Sequence, residues 1–127
     1  MKSALLLSEA PNVYGKVRTI MLDWGAVTDN PGEVVQYADG DGRLLTVFED
    51  PGEDWEEELI ESITPAEAGV VPNLPLVSAC YIECRWEDLF AAKMRLIAES
   101  LSETTWIFDS NGTIWRADRV DPTRIQL

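Results

Sequence analysis

The sequence predicts a single α+β domain over residues 1–127, with a mainly antiparallel sheet of six to seven strands and two helices packed on one face. Three observations lead to this fold class. The 127 residues are 46% hydrophobic and 26% charged, which suits one packed core. The β-rich segments follow one another through tight turns, which favours antiparallel pairing. Two segments have apolar residues at helical spacing, about 51–63 and 86–101.

The strands are predicted from alternating apolar residues and from β-branched or aromatic runs bounded by turn residues. In residues 18–26, Ile20, Leu22 and Trp24 alternate with more polar neighbours, which predicts a strand. The same criteria predict strands at 34–38, 43–49 and 76–84, in both arms of a hairpin over 105–117, and at 124–127.

Two turns are predicted from their aspartate and glycine residues. The sequence DGDG at 39–42 predicts the turn of a hairpin. Asn111-Gly112 is the preferred pair for a two-residue type I′ turn, which would place Phe108 opposite Trp115. Both segments are similar to fragments of calcium-binding loops, but neither has the full set of ligand and glycine positions, so we interpret both as turns.

The two predicted helices differ in how they begin. The first has Asp50 as a candidate cap, Pro51 at the first helical position and Glu53 in a capping-box position. Its apolar residues Trp55, Leu59 and Ile63 recur every four residues. The second, over 86–101, contains no glycine or proline and has one broad apolar sector.

The two cysteines, Cys80 and Cys84, lie on the same side of one predicted strand. At ~3.3 Å per residue they are ~13 Å apart, too far for a disulfide. We therefore expect two free thiols in or near the core. Free thiols suit a reducing compartment, so the expected location is the cytoplasm.

Several function classes are disfavoured. The chain has no histidine, so mechanisms with a histidine base or ligand are excluded. Its longest nearly apolar stretch has nine residues, against the ~20 that a spanning helix needs, so we expect no membrane association. A net charge of −13 disfavours direct nucleic-acid binding. No catalytic, cofactor or metal motif is present, so we assign no catalytic residue, no cofactor and no metal site.

The distribution of charge is the most informative feature. Residues 49–61 contain eight acidic residues and no basic one, and two further aspartates lie on the DGDG turn. Trp55 lies inside this acidic run, and an aromatic residue surrounded by charge suits an interface anchor. The candidate partner-binding residues are Asp39, Asp41, Glu49, Asp50, Glu53, Asp54, Trp55, Glu56, Glu57, Glu58 and Glu61.

These properties favour a small acidic binding protein that neutralises a basic protein partner, such as an immunity protein or antitoxin that inhibits a toxin nuclease. The alternative is an enzyme or small-ligand binder that uses carboxylates, with or without Mg²⁺ or Ca²⁺. A solvated acidic helix that only promotes solubility also fits the sequence. The partner's identity and the oligomeric state do not follow from the sequence.

Overall fold

The computed structural model describes residues 2–52, 55–57, 64–66 and 77–127. These residues form an α+β fold with one eight-stranded sheet. Residues 55–57 are helical, and a short 3-10 helix spans Ala117–Arg119. The other elements are β1 Ser3–Ser8, α1 Val13–Asp23, β2 Val27–Thr28, β3 Val34–Ala38, β4 Leu44–Phe48, β5 Thr64–Pro65, β6 Ser78–Cys84, α2 Glu87–Ser100, β7 Thr105–Phe108 and β8 Thr113–Arg116.

The strands lie in the order β2-β3-β4-β6-β1-β7-β8-β5. All neighbouring pairs are antiparallel except β5 and β8, which are parallel, so the sheet is mixed. The prediction of a mainly antiparallel sheet is therefore confirmed at that level. The predicted strand count was too low because β1 was missed, and because β2 and β5 have only two residues each.

The strand β1 lies in the middle of the sheet, between β6 and β7. Its apolar residues 4–7 are buried on both faces of the sheet. A strand buried on both sides has a continuous apolar run and no alternation, so it lacks the pattern by which the other strands were predicted.

The prediction of a strand over residues 18–26 is wrong, because the helix α1 covers Val13–Asp23. The helix begins at Asn12, whose side chain accepts a hydrogen bond from the Gly15 amide at 3.3 Å. Its buried residues Val13, Val17 and Met21 recur every four positions, which is helical spacing. The window 18–26 excluded the first half of this stripe and left only an apparent alternation.

The two faces of the sheet carry different elements. Both α1 and α2 pack on one face, hereafter the helical face, where Leu6, Cys80 and Ile107 meet Val17 and Phe90 in one core cluster. On the second face a smaller cluster contains the following buried residues: Leu5, Leu7, Trp106, Phe108 and Ile114.

Trp55 packs against the cluster on the second face. The prediction that the segments 51–63 and 86–101 share one face is therefore wrong at Trp55, because α2 (Glu87–Ser100) packs on the helical face. Residues 53–54 and 58–63 of the predicted first helix lie outside the described residues. Within the described part of the chain, no helix is long and apolar enough to cross a membrane.

Both predicted hairpins are present, but the second has another register. Its strands pair Phe108 with Ile114 and Ile107 with Trp115. Gly112 has φ of 80° and Asn111 has no positive φ, so the turn is not type I′. The loop is one residue longer than predicted, and this shift moves Trp115 to the helical face.

Candidate partner-binding surface

The predicted acidic residues Asp39 and Asp41 lie in the turn between β3 and β4. The Asp39 carboxylate is not free, because its Oδ1 accepts hydrogen bonds from the amides of Asp41 at 2.9 Å and Arg43 at 2.8 Å. Its Oδ2 accepts from Nε of Arg43 at 2.7 Å. The hydrogen bond from the Arg43 side chain is the largest cause that lowers the pKa of Asp39. Asp39 therefore shapes the turn, whereas Asp41 is exposed.

Arg43 also connects this turn to the first turn of α2. Its Nη1 lies 2.9 Å from Oδ2 of Asp88, and this contact lowers the pKa of Asp88. The guanidinium group thus contacts two carboxylates at this end of the sheet. Its single positive charge offsets part of the negative charge of Asp39, Asp41 and Asp88, which weakens the attraction of this turn for an external cation.

The acidic residues Glu49 and Asp50 lie at the opposite end of β4. The pairing of β3 with β4 runs from Ala38 opposite Leu44 at the turn to Val34 opposite Phe48 at the far end. Four steps of ~3.4 Å separate the two ends by ~14 Å. The structure therefore does not bring the turn acids together with Glu49 and Asp50.

Glu33 joins Glu49 and Asp50 at this far end. The Glu49 amide donates a hydrogen bond to the Glu33 carbonyl at 2.8 Å, which continues the strand pairing by one residue. A groove of about 500 Å³ lies here, and the following residues line it: Glu33, Val34, Phe48, Glu49 and Asp50. Phe48 contacts Tyr81 with a ring-centroid distance of 5.7 Å. We call this the acidic groove: three carboxylate residues around two apolar ones.

Glu33 was not among the predicted residues, although a signal for it was available. Once 34–38 and 43–49 are taken as a hairpin around the turn 39–42, counting outward places residue 33 opposite residue 48, next to Glu49. The observed pairing, in which Ala38 lies opposite Leu44, moves residue 33 opposite Glu49. Proximity in sequence places Glu49 with Asp50 but not with Glu33, which becomes their neighbour only across the strand pair.

The helical residues 55–57 include the predicted aromatic anchor and two of the predicted acidic residues. Trp55 is half-buried against the second-face cluster, while Glu56 and Glu57 are exposed. Trp55 is thus at least partly a core residue and not a free-standing anchor. The predicted residues Glu53, Asp54, Glu58 and Glu61 lie outside the described residues.

The predicted acidic residues differ from other acidic residues of the described surface in whether they form salt bridges. Within the described ranges, the carboxylates in salt bridges are Asp39, Glu87, Asp88, Glu99, Glu103 and Asp118. None of the described exposed acids of the predicted set, nor Glu33, forms such a pair with another described residue. These acids are Asp41, Glu49, Asp50, Glu56 and Glu57. Their negative charge is therefore uncompensated by the described cations.

The described residues contain no cluster of three or more acidic or thiol side chains that could hold a metal ion. Both cysteines are buried and free, as predicted. Burial raises the pKa of the Cys80 thiol to about 12, which disfavours a thiolate nucleophile there. No family model matches this chain, and no curated protein or solved structure matches it.

Proposed function

We propose that this chain is a small acidic cytoplasmic binding protein that neutralises a basic protein partner, as an immunity protein or antitoxin does with a toxin nuclease. The observation that carries this proposal is the acidic groove, where Glu33, Glu49 and Asp50 surround an apolar floor. A lysine or arginine of a partner has a matching form, with an apolar stem and a charged end. The stem would contact Val34 and Phe48, and the charge would meet the carboxylates.

The uncompensated charge supports fast association. A patch of one sign on a protein surface raises association rates by ~10–10³-fold when the partner carries the opposite sign. Glu56 and Glu57 extend the negative charge beyond the groove and are exposed. Asp39 contributes less than the sequence suggested, since Arg43 already holds its carboxylate.

The test starts with the partner. The tagged chain is used to capture proteins from a lysate of its source cells at low and at high salt, and a captured basic protein is purified. We expect a one-to-one complex that forms at low salt and weakens steeply with added salt. The partner's nuclease activity should be lost at stoichiometric concentration.

Kinetic measurements with variants then test the surface. Glu49→Gln with Asp50→Asn should lower the association rate constant by about tenfold and leave the dissociation rate constant much less changed. The control is Glu9→Gln with Asp23→Asn, which removes the same charge from exposed positions outside this surface. Equal effects of the two double variants, or a complex insensitive to salt, would contradict the proposal.

A further inference from the structure

A row of polar side chains crosses the second face of the sheet beside the acidic groove, whose residues Val34 and Phe48 lie two positions further along β3 and β4. Glu83 of β6 is paired with Ser3 of β1 on one side and with Thr46 of β4 on the other. Thr46 is paired in turn with Gln36 of β3. Four neighbouring strands therefore place polar residues side by side, although the same face is apolar across β7 and β8. Ser3, Gln36 and Glu83 are only partly buried, so this part of the face presents hydrogen-bonding groups that a polar ligand can contact.

Three residues of this row, Gln36, Thr46 and Glu83, line a groove of about 520 Å³. This volume is in the range of small-molecule sites. We call it the polar groove, and its lining residues are Lys2, Gln36, Gly42, Leu44, Thr46, Glu83, Cys84, Arg85 and Trp86. Leu44 is 42% exposed and supplies an apolar wall together with Trp86.

The floor is partly ordered by its own hydrogen bond. Nε2 of Gln36 donates to Oγ1 of Thr46 at 2.9 Å. Thr46 is only 9% exposed, so this bond lies deep in the groove. The bond orients the Gln36 amide, and no described residue donates a hydrogen bond to its Oε1. No hydrogen bond or ion pair within the described residues engages the Glu83 carboxylate.

The groove carries opposite charges at two adjacent positions. Arg85 is exposed and has no ion-pair partner among the residues that the structure describes. The other cation, Lys2, is already held by Glu87 at 2.6 Å. Glu83 and Arg85 are two residues apart, ~7 Å along the chain, and line the same groove. A ligand that satisfies both groups must itself carry a positive and a negative charge.

We propose that the polar groove binds a small zwitterion of the α-amino acid class. Its ammonium group would donate hydrogen bonds to the Glu83 carboxylate and to Oε1 of Gln36. Its carboxylate would bind the guanidinium group of Arg85, which matches a planar carboxylate in a bidentate arrangement. An apolar side chain would contact Leu44 and Trp86. This site is separate from the acidic groove and does not depend on the protein partner proposed above.

The test uses L-leucine as the probe and follows its binding by ¹H–¹⁵N NMR titration of the whole chain. We expect saturable shifts at the Gln36 side-chain amide and at the backbone amides of Thr46, Glu83 and Arg85, with saturation below about 20 mM. Two matched compounds each lack one charge: 3-methylbutylamine has no carboxylate, and 4-methylpentanoate has no amine. Each should bind at least tenfold more weakly, because one charged hydrogen-bonded contact is lost.

Variants test the same contacts from the protein side. Glu83→Gln and Arg85→Gln should each weaken leucine binding by about tenfold. Glu99→Gln and Arg95→Gln remove the same charges from an exposed ion pair on α2 and should change the affinity less than about twofold. Absence of saturable shifts up to this concentration would overturn the proposal, as would equal binding of leucine and its two analogues. If a groove variant fails to fold, the comparison of the three compounds on the unchanged chain still decides.

Discussion

At the scale of single residues, aspartates in this chain order the backbone as well as carrying charge. Asp39 and Asp109 hold the same position in two hairpins that are far apart in sequence. In each, Oδ1 accepts from the amides two and four residues later. In each, the amide three residues later, that of Gly42 or Gly112, donates to the aspartate carbonyl. The repeated geometry shows that both loops are built by the same local chemistry.

Asp109 is the more deeply placed of the two, at 3% exposure. Its Oδ2 also accepts from Nε1 of Trp115 at 3.0 Å and from the amide of Gln126 at 3.2 Å. This one carboxylate therefore connects the hairpin loop, a core tryptophan and the end of the chain. The sequence predicted a shorter loop here, with Asn111 and Gly112 as its two residues.

We predict that Asp109→Ala lowers the free energy of unfolding by about 3 kcal/mol, because several donors lose their acceptor in a buried place. Urea denaturation measures this loss. Asp121→Ala is the matched control, since the Asp121 carboxylate accepts its described hydrogen bonds from Thr123 and lies at the surface. Its cost should stay below about 1 kcal/mol. A small effect of Asp109→Ala would show that water replaces the carboxylate.

The buried thiols give a second prediction at this scale. Burial raises the pKa of both cysteines, that of Cys80 to about 12. Since the thiolate is the reactive form, native protein at pH 8 should react slowly with N-ethylmaleimide, while unfolded protein should take up two equivalents. Mass spectrometry of both samples measures this. Fast modification of the native chain would mean that the strand β6 opens readily.

At the scale of elements, the β3–β4 turn offers two glycines with different backbone needs. Gly42 has φ of 76°, whereas Gly40 in the same turn has no positive φ. An added Cβ would meet no atom within 4 Å at either position. The two sites therefore differ in backbone conformation and not in available space.

We predict that Gly42→Ala lowers the free energy of unfolding by about 1 kcal/mol, because a residue with Cβ is strained at positive φ. Gly40→Ala is the control and should be neutral or slightly stabilising, since alanine has fewer unfolded conformations than glycine. Thermal unfolding of both variants measures the difference. Similar effects at the two positions would contradict the assigned turn geometry.

Arg43 connects two elements, the β3–β4 turn and α2, through Asp39 and Asp88. It holds the pKa of both carboxyl groups below their usual values. A carboxyl group with a lowered folded-state pKa stabilises the fold above its unfolded-state pKa. This stability is lost as the pH falls through the lower, folded-state pKa. The relevant window lies below about pH 4.

We therefore predict that Arg43→Gln is less stable than the unchanged chain at pH 6 and that this difference shrinks as the pH falls from about 4 to 2. Urea midpoints at several pH values measure it. In the control, Arg95→Gln, a cation is removed from a pair whose two side chains are both more exposed than those of the Arg43–Asp39 pair. That variant should show a small difference throughout. A difference that grows in acid would mean that the contacts of Arg43 are not charge-assisted.

The same elements show what the sequence could and could not predict. The helix α2, the strand β6 and the β3–β4 hairpin were predicted because their periodicity and turn residues agree with their final surroundings. The alternation in 18–26 does not predict α1, because the buried stripe of this helix begins at Val13. The strand β1 was missed because a central strand has no alternation. The polar groove depends on strand order, which local patterns do not specify.

For the candidate site, the sequence located the excess of negative charge but not its neighbours in space. The turn acids Asp39 and Asp41 are separated from Glu49 and Asp50 by the length of β4, and Glu33 joins Glu49 only through strand pairing. In the sequence alone, Asp39 and Glu49 are equivalent candidates for contact with a basic partner. They differ because Arg43 follows Asp39 at a distance that allows a salt bridge within the turn.

At the scale of the whole molecule, a net charge of −13 has a cost in stability. Self-repulsion destabilises a compact state, while exposed ion pairs each contribute only about 0–1 kcal/mol. Added salt screens both effects, since the Debye length falls from ~30 Å at 0.01 M to ~8 Å at 0.15 M. Because the excess of acids is large, repulsion should outweigh the ion pairs. We predict that added NaCl raises the melting temperature over this range.

Two variants should separate the contributions by the sign of their effect. Glu56→Gln with Glu57→Gln removes two exposed neighbouring charges that have no described ion-pair partner, so it should raise the melting temperature by about 1–3 °C at low salt and less at high salt. Glu87→Gln breaks the salt bridge with Lys2 at the first turn of α2 and should lower the melting temperature. A melting temperature that falls with salt would show that ion pairs dominate. In that case the acidic residues proposed to attract a basic partner would not destabilise the free protein. Binding of the partner would then not stabilise the fold by reducing the repulsion between these acids.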